Sequence, residues 1–219
     1  MAYFYLYVIL DIFSRYVVGW MVAPRELAEL AKRLIEKSRE ELGVEQDQLI
    51  IHSDRGPGMI SKSVALFLAD LGITKSLSRP HVINGNPALE SQFKTLKYQP
   101  EFPEQFGCIE DTRSFCKNFF HSYNAEHYRS GIGFLTPENV HYVRTPQIIE
   151  EQQAVLNATF LKHPERFKGR GMPKPTVWPF PHLSGSTNRR FPKAISRYTK
   201  NFSGGVSFSL TSSSNPYNP

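Results

Sequence analysis

Cysteine is scarce in this chain: Cys108 and Cys116 are the only two in 219 residues, eight apart and without a second pair. That excludes a disulfide framework or a zinc cluster and suits a reducing compartment. A basic leader is missing too. The apolar run from Met1 to Phe13 has no cationic residues before it, contains Asp11 and runs directly into Ser14-Arg15, so it reads as a core strand rather than a signal or a membrane span. Acid is the third shortage, and it is local. From Lys162 onward there are ten Lys/Arg and one acid, Glu165, whereas the preceding residues hold sixteen basic and nineteen acidic side chains. A basic tail on a faintly acidic core suits contact with a phosphate backbone. Its Ser/Pro/Gly-rich composition suits a solvated, disordered tail equally well.

What is present is ordinary globular material, with 40% hydrophobic and 13% aromatic residues. Tyr3–Ile12 and Tyr16–Val22 are rich in Tyr, Val, Ile and Phe and predict a β-hairpin across Ser14-Arg15. Around Val8-Ile9-Leu10 both parities are apolar, which predicts a strand covered on both faces. Pro24 opens a helical pattern with Leu27, Leu30, Ala31, Leu34, Ile35 and Leu42 on one face, and Gly43 stops it. A short strand at 49–51, a turn at 55–58, a helix over 61–71 and a strand over 73–77 follow. Asn86-Pro87 reads as an N-cap with proline at the first helical position, starting a helix to about Tyr98. Further helices are expected over 109–123, from Pro137, and over 146–161. Alternation after an initial hairpin predicts α/β with a mixed sheet.

Two carboxylates stand out in this frame. Asp54 directly follows the strand at 49–51, at the carboxyl edge where open α/β sheets build sites. Glu90 falls in the first turn of its helix, after a glycine-bearing loop. A strand-end and a helix-start carboxylate can share hard divalent cations through oxygen ligands. Taken singly, each has a plain explanation, since Asp is common in turns and the helix dipole favours Glu in a first turn. Lys94 and Lys97 lie at i+4 and i+7 from Glu90, with Leu89, Phe93 and Leu96 on the other face. Two ammonium groups there would suit DNA phosphates, although an amphipathic helix with a lysine-bearing outer face has the same pattern.

With thirty-five residues between Asp54 and Glu90, the set His52-Ser53-Asp54-Arg55-Gly56, Ser76-Leu77-Ser78-Arg79 and Asn86-x-x-x-Glu90-Ser91-x-Phe93-Lys94-x-Leu96-Lys97 resembles the catalytic core of bacterial insertion-sequence transposases of the DDE type, relatives of retroviral integrases. Leu10-Asp11-Ile12-Phe13-Ser14-Arg15-Tyr16 resembles their second and third strands. Tyr123-Asn124-x-Glu126-His127-x-Arg129, with Thr136-Pro137-Glu138 after it, resembles their C-terminal signature. The likeness runs from about Tyr3 to about Pro175.

The resemblance implies a ribonuclease H-like mixed sheet flanked by helices. It also implies DNA transposition by metal-dependent nicking and strand transfer, with Asp54 and Glu90 as catalytic and metal-binding residues and two Mg²⁺ or Mn²⁺ ions. Lys94, Lys97 and Arg129 are the expected DNA contacts. Element ends and target DNA are the expected partners, with a homo-oligomeric protein in the bacterial cytoplasm at the nucleoid and no membrane association. The family's first catalytic Asp belongs to a strand preceding the one that holds Asp11. Asp11 is therefore expected to be a hairpin residue. The sheet is expected to lack that first strand and to leave an unpaired apolar edge. The expected division is a core over 1–145, a C-terminal helix over 146–168 and a disordered basic tail over 169–219. The alternative function is a non-catalytic DNA-binding or regulatory fragment.

Overall fold

The computed structural model describes residues 4–44, 49–53, 57–78, 87–167, 171–175 and 202–211, the last of these in its backbone alone. Two compact units are present: residues 1–121 with 200–219, and residues 122–199. The division falls within the helix Ile109–Ala125.

The first unit is built on the hairpin β1 (Phe4–Asp11) and β2 (Val17–Ala23), paired antiparallel with Tyr5 opposite Ala23 and Val8 opposite Trp20. Val8 and Leu10 have no exposed surface and Ile9 very little, so β1 is covered on both faces as its sequence predicts. Helix α1 (Ala28–Leu42) begins later than Pro24, with Leu27 in extended conformation ahead of it. Gly43 ends it at φ 60°, donating its N–H to carbonyls of the last turn, a left-handed geometry that suits glycine. Its buried stripe of Ala31, Leu34, Ile35 and Ser38 packs on β2. The approach is close, because a Cβ on Gly19 would lie 2.2 Å from the Ser38 hydroxyl.

Next come β3 (Leu49–Ser53), α2 (Pro57–Ile60), α3 (Lys62–Asp70), β4 (Thr74–Leu77) and α4 (Pro87–Lys97). The turn expected at 55–58 is helical from Pro57. Ser61 caps α3 by accepting from the Val64 N–H at 3.3 Å. Strands β3 and β4 run parallel, Ile50 opposite Thr74 and Ser53 opposite Leu77. One core joins these elements, with Tyr7, Ile9, Ala31, Leu34, Ile35, Ile51, Met59, Val64, Leu68 and Ile73 buried together. Burying each such large aliphatic side chain contributes about 1.5–3 kcal/mol.

One element departs from expectation. Residues 202–211 form a strand, β5 (Phe202–Thr211), within the stretch expected to be disordered tail. It enters the sheet between β1 and β3, giving the order β2-β1-β5-β3-β4. It runs antiparallel to β1, with Val8 opposite Ser207, and parallel to β3, with His52 opposite Gly205. The unpaired apolar edge expected on β1 is therefore absent: the strand is paired on both sides. The sequence hid this because β5 reads Phe-Ser-Gly-Gly-Val-Ser-Phe-Ser-Leu-Thr, a composition more typical of a loop than of a central strand. The mixed sheet flanked by helices is the expected α/β architecture.

Helix α5 (Ile109–Ala125) crosses from the first unit into the second. The second unit continues with a 3-10 turn at Ser130–Ile132, α6 (Pro137–His141) and α7 (Thr145–Lys162). Thr136 caps α6, accepting from the Asn139 N–H at 3.3 Å ahead of Pro137. Ile132, Leu135, Val140 and His141 are buried here. No described helix is long and apolar enough to cross a membrane.

Candidate metal-binding and DNA-binding site

Strand β3 delivers the first candidate position. Its last residue, Ser53, is fully buried, and the Ser53 carbonyl accepts from the Ser78 N–H at 3.0 Å, which ties the carboxyl end of β3 to the segment leaving β4. His52 Nδ1 lies 3.1 Å from Ser76 Oγ, bracing the same two strand ends. Asp54 is the next residue in the chain, and it lies outside the described residues, as does Asn86 with its expected N-cap.

Helix α4 supplies the second. Leu89, Phe93 and Leu96 are buried on its inner side, which fixes the helix rotation and leaves Glu90 half-buried with Lys94 and Lys97 exposed. Among the described residues no ion pair engages any of these three. α4 lies against β5 in the first unit. Glu90 thus fits an oxygen-donor role toward a hard cation. Among the described residues no group of three or more acidic, histidine or cysteine side chains is close enough to hold a metal by itself.

Asp11 contrasts with Glu90. It is buried, and its carboxylate accepts from the Phe13 N–H at 3.0 Å and from the Ser14 hydroxyl at 2.5 Å. Its backbone closes the same turn, with Arg15 N donating to the Asp11 carbonyl at 2.8 Å and Arg15 held at φ 64°. These bonds make Asp11 the structural residue of the hairpin.

Arg129 belongs to the second unit. Its guanidinium donates to the Tyr123 hydroxyl and lies 5.2 Å from the centre of that ring, while His127 stacks on Tyr123 at 5.8 Å. Burial and then the Arg129 charge hold the His127 imidazole below its ordinary value. Elsewhere, desolvation lowers the Lys75 ammonium, which donates to the Met59 carbonyl. Burial pushes the Cys116 thiol up to about 12, so it behaves as an apolar core residue rather than a nucleophile.

Sequence reasoning missed Gln92. It is fully buried on the Leu89–Leu96 side of α4, and neither of its amide atoms has a partner among the described residues. The Ser53 hydroxyl shares that condition. The available signal was a polar residue in core register, at i+3 from Leu89 and i−4 from Leu96. A mainly apolar hollow of about 580 Å³, lined by Trp20, Val22, Leu30, Arg113 and Lys117 among others, shares no residue with α4.

Comparison with known proteins bears on this arrangement. One family model described as an integrase core domain matches residues 1–82, and a second with the same description matches residues 71–137. The transposase for insertion sequence element IS904 of Lactococcus lactis is 30% identical over 138 residues, 62% of this chain and 53% of that protein. The InsF transposase for insertion sequence IS3 of Escherichia coli O111:H- is 30% identical over 138 residues, 63% of this chain and 48% of that protein. Across residues 1–137 the chain matches integrase core models, and it is similar to insertion-sequence transposases. It spans about half the length of the curated transposases it matches. Among solved structures, the catalytic core of BIV integrase aligns at a TM-score of 0.49 with 24% identity, over 65% of this chain and 88% of that one. The HTLV-2 integrase core in complex with magnesium aligns at 0.46 with 16% identity, over 63% and 84%. Within this integrase core, the matched segments contain Asp54, Glu90, Lys94, Lys97 and Arg129.

Proposed function

We propose that this integrase core performs metal-dependent polynucleotidyl transfer, nicking DNA at the ends of an insertion element and joining the freed 3′-hydroxyl to target DNA. The observation that carries the reading is Glu90, a half-buried carboxylate in the first turn of α4 with no ion-pair partner among the described residues, on a helix that also exposes Lys94 and Lys97. The thirty-five-residue spacing to Asp54 and the match to integrase core models support it.

In this reading Asp54 and Glu90 hold Mg²⁺ or Mn²⁺ through carboxylate oxygens. Such ions, when bound as a pair, supply charge neutralisation at the entering and leaving oxygens of the phosphate. The chain's own part is positioning. The buried face of α4 fixes the Glu90 direction, the β3–β4 pairing fixes the strand end that precedes Asp54, and Lys94 and Lys97 hold phosphates of the incoming backbone. Phosphoryl transfer asks for little else from a protein. Arg129, seated on Tyr123, offers a guanidinium for a further phosphate. The acting species is a homo-oligomer on DNA, at the bacterial nucleoid.

The test is strand transfer with short duplexes copying the DNA that flanks the gene, in Mg²⁺ and in EDTA. It uses the chain Met1–Pro219 and one extended upstream of Met1. Nicking and joining that require Mg²⁺ and disappear in Asp54→Asn and Glu90→Gln support the reading. Activity that survives both substitutions sinks it, and salt-sensitive DNA binding without nicking in either chain assigns a binding role instead.

A further inference from the structure

The centre of the sheet is closed by the element most distant in sequence. Strand β5 begins at Phe202, whereas its neighbours β1 and β3 end at Asp11 and Ser53. Removing β5 would expose backbone donors and acceptors along both neighbours, from Phe4 to Asp11 and from Leu49 to His52. A gap of this kind accepts any extended segment of suitable length, because the bonds that fill it are backbone bonds and carry little side-chain specificity.

The occupant is poorly matched to so central a place. β1 reads Phe-Tyr-Leu-Tyr-Val-Ile-Leu-Asp, strongly strand-forming, while β5 places Gly204 and Gly205 opposite Asp11 and Leu10. Interior glycines weaken a strand through backbone entropy and lost cross-strand packing. Residues 202–211 carry no charge of either sign. In sequence they begin thirty-five positions after Phe167, the end of the preceding described element.

We propose that the gap between β1 and β3 is a strand-acceptor site, and that residues 202–211 fill it within the same chain as a displaceable plug, exchangeable for the same strand of a second copy of this chain. The proposal stands apart from the assignment of Asp54 and Glu90, and its test uses neither metal nor DNA.

Val8 and Ser207 are cross-strand partners, at a Cα separation of the kind a disulfide spans. The full-length Val8→Cys/Ser207→Cys chain, mildly oxidised, yields a linked peptide pair within one chain, at least tenfold above the one-residue-shifted Val8→Cys/Phe208→Cys control. A fluorescein-labelled peptide of the 202–211 sequence, titrated to about 1 mM, binds the reduced chain. It binds the oxidised chain at least tenfold more weakly. A peptide with Val206→Pro, which lacks one backbone donor, does not bind either. If Val8→Cys prevents folding, Tyr5→Cys/Leu210→Cys tests another pair of the same ladder. Linkage no better than the control, or linkage between chains only, overturns the intramolecular plug. Peptide binding that is equal in the two redox states, or undetectable in both, overturns its displacement.

Discussion

Asp11 and Glu90 belong to the same unit, yet they are carboxylates of different kinds. At the end of β1, Asp11 gives its oxygens to the Phe13 N–H and the Ser14 hydroxyl and is closed off from solvent. On α4, Glu90 stands half-buried beside two exposed lysines, with no ion pair among the described residues. A buried carboxylate that accepts from two local donors stabilises its turn, and its removal leaves both donors unsatisfied. A carboxylate held by the rotation of its helix, rather than by its own hydrogen bonds, remains available for chemistry. Position after a strand or at a helix start does not separate the two; the identity of their partners does.

The widest separation between them should appear in activity. Glu90→Gln is expected to lower Mg²⁺-dependent nicking by about a thousandfold, the several kcal/mol that a metal-held phosphate contributes to the transition state. Its circular dichroism and melting temperature should stay as they are. Asp11→Ala should do the converse, leaving two donors without an acceptor and costing about 1–3 kcal/mol of stability, with nicking per folded molecule retained. A loss of nicking in Asp11→Ala with an unchanged melting temperature would reverse the two assignments.

Smaller effects refine the Glu90 side. Lys94→Ala should weaken binding to any duplex alike and reduce the slope of log affinity against log salt by about one. A slope that does not change removes Lys94 from the phosphate contacts. In the second unit, His127 is expected to give the mildest response. Its lowered value means that the unfolded chain takes up a proton that the folded chain resists. The stabilisation from the neutral ring is therefore present above the unfolded value of about 6.5 and declines as the pH falls below it. His127→Gln should flatten that decline in melts run between pH 7 and pH 5; an unaltered slope would assign it to another group.

Most of the first unit is legible in the residue pattern, because its elements are amphipathic and carry ordinary stop signals. Gly43 ends α1, Ser61 starts α3, and the Leu89, Phe93 and Leu96 repeat sets the face of α4. The polar core position of Gln92 was legible only in its register with Leu89 and Leu96, against the rule that a glutamine in a helix is usually a surface residue. Strand β5 was hidden for a related reason. Its glycines and serines form a strand here because β1 and β3 offer ready-made backbone partners, and not through any preference of their own.

By itself, the sequence determined the α/β alternation, the integrase-type motifs and the faces of the helices, all of which follow from local periodicity and short-range spacing. Tertiary structure alone decided which donors hold the Asp11 carboxylate, that Gln92 is buried, and that a segment from the far end of the chain occupies the middle of the sheet. Those outcomes depend on which donors and acceptors meet across long sequence distances, and backbone hydrogen bonding between strands leaves almost no trace in the residues that make it.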